Sequence, residues 1–191
     1  MAKNCLDLTG RIAVVFGATS GLGREIAVGL AEHGADVVPV GRRTDLVADV
    51  CDAIAKIGRR TVHAVADVTD QQSIEQTRES LIQTFGRVDV LVNAAGITFR
   101  KPSVAITDAE WSSLFETNLE GVLRTCQAFY EPLKANGVGR VINIASLGSY
   151  VAFHEVAAYC ASKAAVLSLT RSLGCEWARD RICVNAIAPG V

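Results

Sequence analysis

Short runs of Val, Ile and Ala alternate with longer stretches of helical periodicity along the whole chain. A short run that is apolar throughout is typical of a strand buried on both faces, and the stretches between the runs are long enough for helices. Strands that alternate with helices form right-handed crossovers, which make the strands parallel and cover both faces of the sheet. The sequence therefore predicts an α/β fold with a doubly wound parallel sheet. The predicted strands are 11–16, 36–40, 61–66, 88–92, 140–145 and 181–188.

Composition and organisation exclude several classes of protein. Lys and Arg number 19 and Asp and Glu number 20, which gives a net charge of −1 and argues against a nucleic-acid-binding surface. No apolar run approaches the roughly 20 residues that cross a bilayer, and residues 1–7 carry no apolar segment typical of a signal peptide. Because linkers and repeats are absent, residues 1–191 are predicted to form one domain. The charge and the apolar runs together predict a cytoplasmic protein without a nucleic-acid or membrane partner.

The chain has six cysteines and three histidines, and neither set has the spacing of a metal site. The cysteines are scattered without a C-x-x-C pair, so we expect reduced thiols in the core and no bound metal. His33 and His63 are expected to be structural. The cysteines are Cys5, Cys51, Cys126, Cys160, Cys175 and Cys183.

A glycine-rich loop follows the first predicted strand and leads directly into a helix. Ligands of open α/β sheets bind beyond the carboxyl ends of the strands, where this loop lies. Its glycines let the backbone approach a phosphate group, and the helix N-terminus supplies N–H groups and partial positive charge. No Lys-Ser or Lys-Thr pair follows the last glycine, which excludes a P-loop. The predicted phosphate-binding residues are Gly17, Thr19, Ser20, Gly21, Leu22 and Gly23.

The end of the second strand bears on the choice between NAD and NADP. An acidic residue there would bind the ribose 2′-hydroxyl of NAD, whereas a basic residue suits the 2′-phosphate of NADP. The strand ends in Val40-Gly41-Arg42-Arg43, so NADP(H) is favoured over NAD(H), with Arg42 as the first choice of phosphate partner. Asp45 leaves NAD(H) open, and the alternative for both arginines is ordinary solvated charge.

Ser146 follows the fifth predicted strand, and Tyr159 and Lys163 lie four residues apart in the helical stretch after it. Residues i and i+4 share a helix face, which brings the phenol close to the ammonium. A tyrosine with a reference pKa of about 10 is a weak base near neutrality, and an ammonium about 5 Å away supplies about 3 kcal/mol at an effective dielectric of ~20. Tyr159 can then exchange a proton with a substrate oxygen that Ser146 holds.

Together these features resemble the short-chain dehydrogenase/reductase family over essentially the whole chain. The resemblance implies a Rossmann-type sheet with strand order 3-2-1-4-5-6 and hydride transfer to or from a nicotinamide cofactor. It also implies a catalytic set of Asn118, Ser146, Tyr159 and Lys163, in which the asparagine distorts a helix so that its carbonyl holds a water against the lysine. The residues that carry the resemblance are Gly17, Gly21, Gly23, Asp67, Asn93-Ala94-Ala95-Gly96, Asn118, Ser146, Tyr159, Lys163 and 185–190.

The same resemblance implies further cofactor contacts. Lys163 would also bind the nicotinamide ribose, Asp67 would bind the adenine, and Asn93 and Gly96 would line the cofactor channel. The remaining cofactor-binding residues that it predicts are Val68, Ala94, Tyr159, Pro189 and Gly190.

Two features depart from the family pattern. Phe16 stands where the family has a threonine, which removes a hydroxyl group. Similar proteins continue beyond a motif like Pro189-Gly190 through a substrate loop, further helices and a last edge strand, whereas this sequence ends at Val191. We therefore expect the single domain to lack the final edge strand and one wall of the substrate site, with impaired activity in this form.

The substrate is predicted as a secondary alcohol or ketone. Arg100, Lys101 and His154 lie in segments expected near the substrate and would favour an anion, with ordinary surface charge as an equal alternative. These segments resemble those of sugar-acid dehydrogenases such as gluconate 5-dehydrogenase, and 3-oxoacyl-[acyl-carrier-protein] reductases are the alternative. A non-catalytic dinucleotide-binding scaffold is a hypothesis of another class. The long helices around Asn118 and Lys163 resemble those that build homotetramers, so a homo-oligomer, either a dimer or a tetramer, is expected.

Overall fold

The computed structural model describes residues 6–190, and these form six strands with helices between them. The strands are β1 (Ile12–Phe16), β2 (Asp36–Gly41), β3 (Ala64–Val65), β4 (Val90–Asn93), β5 (Arg140–Ile144) and β6 (Cys183–Ile187). The helices are α1 (Gly21–Glu32), α2 (Thr44–Lys56), α3 (Gln71–Phe85), α4 (Asp108–Phe115), α5 (Gly121–Asn136) and α6 (Ala157–Trp177). Alternation of apolar runs and helical periodicity thus predicted the order of elements correctly.

Two strands are shorter than the sequence pattern indicates. β3 pairs with β2 through two residue pairs, Val40 with Ala64 and Gly41 with Val65, so most of the apolar run 61–66 lies outside the ladder. β6 begins only at Cys183, because Arg181 adopts a left-handed backbone conformation with a φ of 60°. A strand does not accommodate that conformation.

The sheet is parallel throughout, and its order β3-β2-β1-β4-β5-β6 confirms the Rossmann-type topology. Successive side chains of β1 face opposite sides, as the pleat requires. Val14 and Phe16 pack in the core under α3, α5 and α6, whereas Ala13 and Val15 pack in the core under α1 and α2. The strand order reverses between β1 and β4, so the carboxyl ends of these strands border the crevice where ligands of such folds bind. In the part of the chain that is described, β3 and β6 are the outer strands.

Phe16 has a packing role at the end of β1. Its ring meets the ring of Phe129 on α5 edge to face, with centroids 5.8 Å apart. The loop that follows is tied to β2 by backbone bonds instead of a hydroxyl, since the N–H groups of Gly17 and Ala18 both donate to the carbonyl of Val40, at 2.9 and 3.1 Å. The aromatic residue therefore contributes to the core while the backbone holds the loop.

Two buried carboxylates close the opposite end of the sheet. Asp36, at the start of β2, pairs with Arg59 at 2.8 Å and with Arg60 at 2.7 Å. Asp89, just before β4, pairs with Arg11 at 3.0 Å and also accepts a backbone N–H. Such charge-assisted bonds satisfy groups that would otherwise be costly to bury. Ion pairs thus satisfy the buried carboxylates at the amino ends of β2 and β4, opposite the edge of the sheet where a ligand is predicted to bind.

The expectation that the cysteines lie in the core is only partly correct. Cys51 and Cys126 are buried, and burial raises the pKa of Cys126 to about 12, but Cys175 and Cys183 are exposed. An apolar segment does not predict burial of Cys175 or Cys183, because they lie on a helix and an outer strand. Such elements pack on one side and expose the residues of the other side to solvent. Cys5 lies outside the described residues. Within residues 6–190, no cluster of His, Cys, Asp and Glu could hold a metal ion, and no helix is long and apolar enough to span a membrane.

Candidate active site

The glycine loop forms a tight turn between β1 and α1. Gly17 has a φ of 81°, and a Cβ atom there would collide with the backbone of Ala95 after β4. A Cβ at Gly23 would collide with the carbonyl of Gly17 itself. Ser20, the residue before α1, makes no side-chain capping bond, so the first-turn N–H groups of α1 receive no acceptor from it. The loop thus lets the backbone approach a ligand closely and presents a helix N-terminus to it.

A cleft of about 240 Å³ runs from this loop across the carboxyl ends of β1, β2 and β4. Gly21, Leu22 and Gly23 continue from the loop into the first turn of α1. Asn93 is buried beneath the cleft, and the carbonyl of Pro189, next to Gly190, accepts the N–H of Leu147 at 2.8 Å. The predicted cofactor residues that line the cleft are Gly17, Thr19, Ser20, Arg42, Asp67, Val68, Ala94 and Gly96.

Two arginines stand at one end of the cleft. Arg42 is largely exposed and lies 3.4 Å from a carboxylate oxygen of Asp67. Burial raises the pKa of Asp67, but hydrogen bonds from Thr69 and the charge of Arg42 outweigh it, so this carboxyl is more acidic than usual. Arg43 donates to the hydroxyls of Thr19 and Ser20, at 3.0 and 3.1 Å. Sequence reasoning ranked Arg42 first and missed the contact of Arg43 with the glycine loop, because only the pairing of β1 with β2 brings these residues together.

Asn118 lies in a π-helix, directly after Thr117, which lines the cleft. The five residues Glu116–Glu120 form this π-helix between α4 and α5, which agrees with the helix distortion that the family resemblance implies. The side chain of Asn118 is fully buried and holds Ile97 from both sides, accepting its N–H at 2.8 Å and donating to its carbonyl at 2.9 Å. It also donates to the hydroxyl of Ser162 on α6, at 3.1 Å. Asn118 therefore connects the segment after β4 to α6.

Lys163 and Tyr159 lie one turn apart on α6, and the lysine ammonium lies 5.9 Å from the centroid of the tyrosine ring. Lys163 is 5% exposed and donates to the carbonyl of Ile144 at 2.7 Å. Burial lowers its pKa to about 8. A Cβ at Gly96 would lie 3.3 Å from the Asn118 side-chain oxygen and 3.4 Å from the Lys163 ammonium, so both groups approach this residue, which lines the cleft.

Ser146 is presented by the 3-10 turn that follows β5. Its hydroxyl accepts the N–H of Gly148 at 3.1 Å, which leaves the hydroxyl proton able to donate to another acceptor. A Cβ at Gly148 would lie 2.8 Å from the sulfur of Cys160 and 3.5 Å from the Ser146 hydroxyl. Because Cys160 directly follows Tyr159, this close packing places Ser146 beside the part of α6 that carries the tyrosine.

A buried chain of polar side chains supports the site from below, and sequence reasoning missed it. Thr125 on α5 donates to Asn93 at 2.8 Å, Asn93 donates to Asn143 at 2.9 Å, and Asn143 donates to Thr170 on α6 at 2.9 Å. All four side chains are buried. The two asparagines are paired across β4 and β5, and the residues directly after them form the cleft and hold Lys163. The sequence signal that could have predicted this series of hydrogen bonds is an asparagine near the end of each of two neighbouring buried strands.

The chain of bonds predicts a loss of stability on replacing Thr170 with Val. The side chains have nearly the same shape, but Val leaves the buried amide of Asn143 without its acceptor, which costs about 2 kcal/mol in free energy of unfolding. Thr170→Ser keeps the hydroxyl and loses one methyl group, at about 1 kcal/mol. Urea unfolding of the three proteins measures both differences. A Thr170→Val protein as stable as the wild type would show that the hydroxyl is not required.

The predicted basic residues near the substrate have internal partners. The Lys101 ammonium contacts both carboxylate oxygens of Glu110 at 2.8 Å, and this ammonium and bonds from Thr107 lower the pKa of Glu110 to about 2. Arg100 and His154 lie beside Glu155, at 3.7 and 3.6 Å. Lys101 is therefore held by α4, and Arg100 and His154 both lie beside the carboxylate of Glu155.

Comparisons with known proteins agree with this architecture. Residues 11–191 match the family model described as short chain dehydrogenase. The chain is 37% identical to 2-dehydro-3-deoxy-D-gluconate 5-dehydrogenase of Dickeya dadantii, with 100% of this chain and 75% of the relative covered. It is 36% identical to NAD-dependent glycerol dehydrogenase of Listeria innocua, with 97% and 72% covered. The crystal structure of a gluconate 5-dehydrogenase from Burkholderia cenocepacia in complex with NADP and tartrate superposes with a TM-score of 0.92, at 36% identity over 97% of this chain and 72% of that one. With the fold, the glycine loop and these matches in agreement, the chain belongs to the short-chain dehydrogenase family.

Proposed function

We propose that this protein transfers a hydride between NADP(H) and a secondary alcohol or ketone, with sugar acids as the substrate class. The observation that carries the proposal is that the side chains of Asn118 and Lys163 approach Gly96, which lines the cleft that begins at the glycine loop. A dinucleotide extended along this cleft would have its phosphates at the helix N-terminus and its reactive ring near Tyr159.

The residues of the cleft fit such a cofactor. The backbone contacts of Gly17 and Gly23 allow no side chain, and α1 presents its first-turn N–H groups to the phosphates. Lys163 would hold the nicotinamide ribose, Asp67 the adenine, and Ala94 and Gly96 the wall between them. When bound, the nicotinamide supplies the hydride or accepts it.

The four polar residues have distinct roles in this proposal. Ser146 donates its hydroxyl proton to the substrate oxygen and orients it. Tyr159 gives its proton to that oxygen during reduction and takes it back during oxidation. The Lys163 ammonium stabilises the phenolate that Tyr159 becomes. Asn118 fixes the backbone of Ile97, which follows Gly96. The intact set argues against the non-catalytic scaffold.

Arg42 and Arg43 support a preference for NADP(H), because both line the cleft and Arg43 contacts the glycine loop. Arg42→Ala and Arg43→Ala are each expected to raise the KM for NADP⁺ about 10- to 100-fold, the usual worth of a hydrogen bond to a charged group. The KM for NAD⁺ should stay within about threefold, because NAD⁺ lacks the phosphate. Initial-rate kinetics with both cofactors measure the ratio. A wild-type protein that prefers NAD⁺ and is unaffected by either substitution would contradict the proposed preference.

The relatives support a sugar acid over an acyl-carrier substrate, since one acts by name on a deoxygluconate derivative and a similar structure holds tartrate. The test is oxidation of D-gluconate and reduction of 5-keto-D-gluconate, followed by NADPH absorbance, beside an acetoacetyl thioester. Turnover of the thioester alone would favour the reductase alternative. Absence of turnover with every substrate, from a protein that binds NADPH, would favour the scaffold.

Self-association and a cytoplasmic location complete the proposal. Trp111 and Phe115 stack on α4 with ring centroids 4.5 Å apart, and Trp111 and Val104 are exposed, as suits a surface that a second copy covers. We propose a homo-oligomer, a tetramer or a dimer, which sedimentation analysis would detect. The cytoplasmic location stays a prediction from the sequence, and fractionation of cells that produce the protein would test it.

A further inference from the structure

A guanidinium, an imidazole and a carboxylate form a cluster, the rim cluster, on the segments that follow β4 and the Ser146 turn. The cluster consists of Arg100, on the segment after β4, and of His154 and Glu155, in the loop between the Ser146 turn and α6. The backbone N–H of Lys101 donates to the carbonyl of Glu155 at 2.7 Å, which joins the two segments. The first segment is fixed at its other end by Asn118, which binds Ile97. The first segment therefore carries Ile97, which lines the cleft, and the second leads into the part of α6 that carries Tyr159.

Glu155 is the carboxylate beside which the other two members of the rim cluster lie. It lies 3.7 Å from the guanidinium of Arg100 and 3.6 Å from the imidazole of His154. Lys101 does not compete for it, because its ammonium is held by Glu110 on α4. The side chains of Arg100 and His154 are 69% and 79% exposed, whereas that of Glu155 is 32% exposed. The guanidinium and the imidazole are thus more exposed than the carboxylate between them.

The backbone of Glu155 is strained. Its φ of 63° lies in the left-handed region, which L-residues with long side chains seldom adopt. The bond from Lys101 holds this conformation and directs the chain into α6, which carries Tyr159 four residues later. Strained residues of this kind persist where the surrounding structure fixes them, and they cluster at functional sites. The strain and the shared carboxylate are two separate observations on one residue.

We propose that Glu155 is a specificity-determining residue, whose carboxylate occupies the place of the carboxylate of a sugar-acid substrate. An anionic substrate binds by displacing Glu155 from Arg100, whereas a neutral polyol binds without disturbing the pair. The inference rests on the proposed function, in which sugar acids are the substrate class. The relatives include one enzyme named for a sugar acid and one named for the neutral polyol glycerol. A residue that sets the preference for charged or neutral substrates would distinguish these two substrate classes.

The test compares D-gluconate with the neutral polyol xylitol in kinetics of the full chain with saturating cofactor. Glu155→Gln removes the charge and keeps the shape, so the KM for gluconate should fall about three- to fivefold while that for xylitol stays constant, a size typical of an exposed ion pair. Arg100→Gln should raise the KM for gluconate by a similar factor. In the double variant the gain from Glu155→Gln should vanish, because the cation that it unmasks is gone.

Two controls separate charge from backbone effects. Glu155→Asp keeps the carboxylate, and Asp tolerates the left-handed region better than most residues, so its selectivity should remain close to that of the wild type. Glu79→Gln removes an exposed charge on α3 and should leave the selectivity unchanged. If Glu155→Gln changes both substrates equally, or if Glu155→Asp behaves like Glu155→Gln, the inference is wrong. If Glu155→Gln does not fold, the gluconate selectivity of Arg100→Gln decides the question.

Calorimetric titration of gluconate and xylitol into the protein with bound NADP⁺ gives a readout that does not need turnover. Tighter gluconate binding by Glu155→Gln, in a protein that oxidises neither compound, would support the rim cluster and overturn the proposed reaction. Normal oxidation of gluconate, with identical affinities and KM values in wild type, Glu155→Gln and Arg100→Gln, would support the reaction and overturn the inference.

Discussion

Replacing Tyr159 with Phe is expected to lower kcat by about 10²- to 10⁴-fold, the range that general acid–base catalysis supplies. The substitution removes the proton that the substrate oxygen exchanges and keeps the ring beside the Lys163 ammonium, which lies 5.9 Å from the ring centroid. Cofactor binding should change little, because the glycine loop and both arginines are untouched. Stopped-flow and steady-state rates with NADPH, together with fluorescence titration of NADPH binding, measure the two quantities.

Tyr130→Phe is the matched control for this experiment. Its hydroxyl donates to Asp180 at 2.7 Å, near the other end of α6, so turnover should be unaffected. If Tyr159→Phe keeps more than a tenth of the wild-type kcat, another group is the acid, and the assignment of the whole site is wrong.

Replacing Lys163 with Met is expected to abolish turnover and at the same time to stabilise the fold. Burial lowers the pKa of Lys163 to about 8, against 10.5 for an ordinary lysine, and a difference of this size corresponds to about 3 kcal/mol of unfavourable burial of the charge. Loss of the bond from the ammonium to the buried carbonyl of Ile144 offsets about 2 kcal/mol. The free energy of unfolding at pH 7 should therefore rise by about 1 kcal/mol, and Lys56→Met, on the exposed end of α2, should leave it unchanged.

The pH dependence of this stabilisation has a definite sign. Between pH 8 and the unfolded value of 10.5, the folded wild type has lost the Lys163 proton while the unfolded chain retains it. The unfolded state then binds more protons, so this group makes the free energy of unfolding rise with pH in that window. The advantage of Lys163→Met should shrink between pH 7 and pH 9.5. Urea unfolding at the two pH values tests this, and an advantage that stays constant would show that the lysine charge is not the cause.

The local pattern of the sequence predicted the elements and their order. Runs of Val and Ile identified the strands, and the glycines of 17–23 identified the loop, because backbone conformation and side-chain size at such positions follow from residue type. The helical spacing of Tyr159 and Lys163 predicted that their side chains are neighbours for the same reason. The bounds of β3 and β6 were less well predicted, since strand pairing and the left-handed Arg181 decide where a strand ends.

The site, in contrast, includes contacts that no local pattern contains. Arg43 reaches Thr19 and Ser20 only because β1 and β2 pair, and Asn143 bonds to Asn93 only because β4 and β5 lie in register. Glu155 acquires its ion pair with Arg100 from the segment after β4, and the N–H of Lys101 on that segment holds its left-handed backbone. By itself, the sequence thus determined which residues are proposed to carry the chemistry, whereas the tertiary structure decided which charges pair with one another and how far Lys163 is buried. Electrostatic energy depends on distances and on exposure to water, and these quantities exist only once distant segments have packed together.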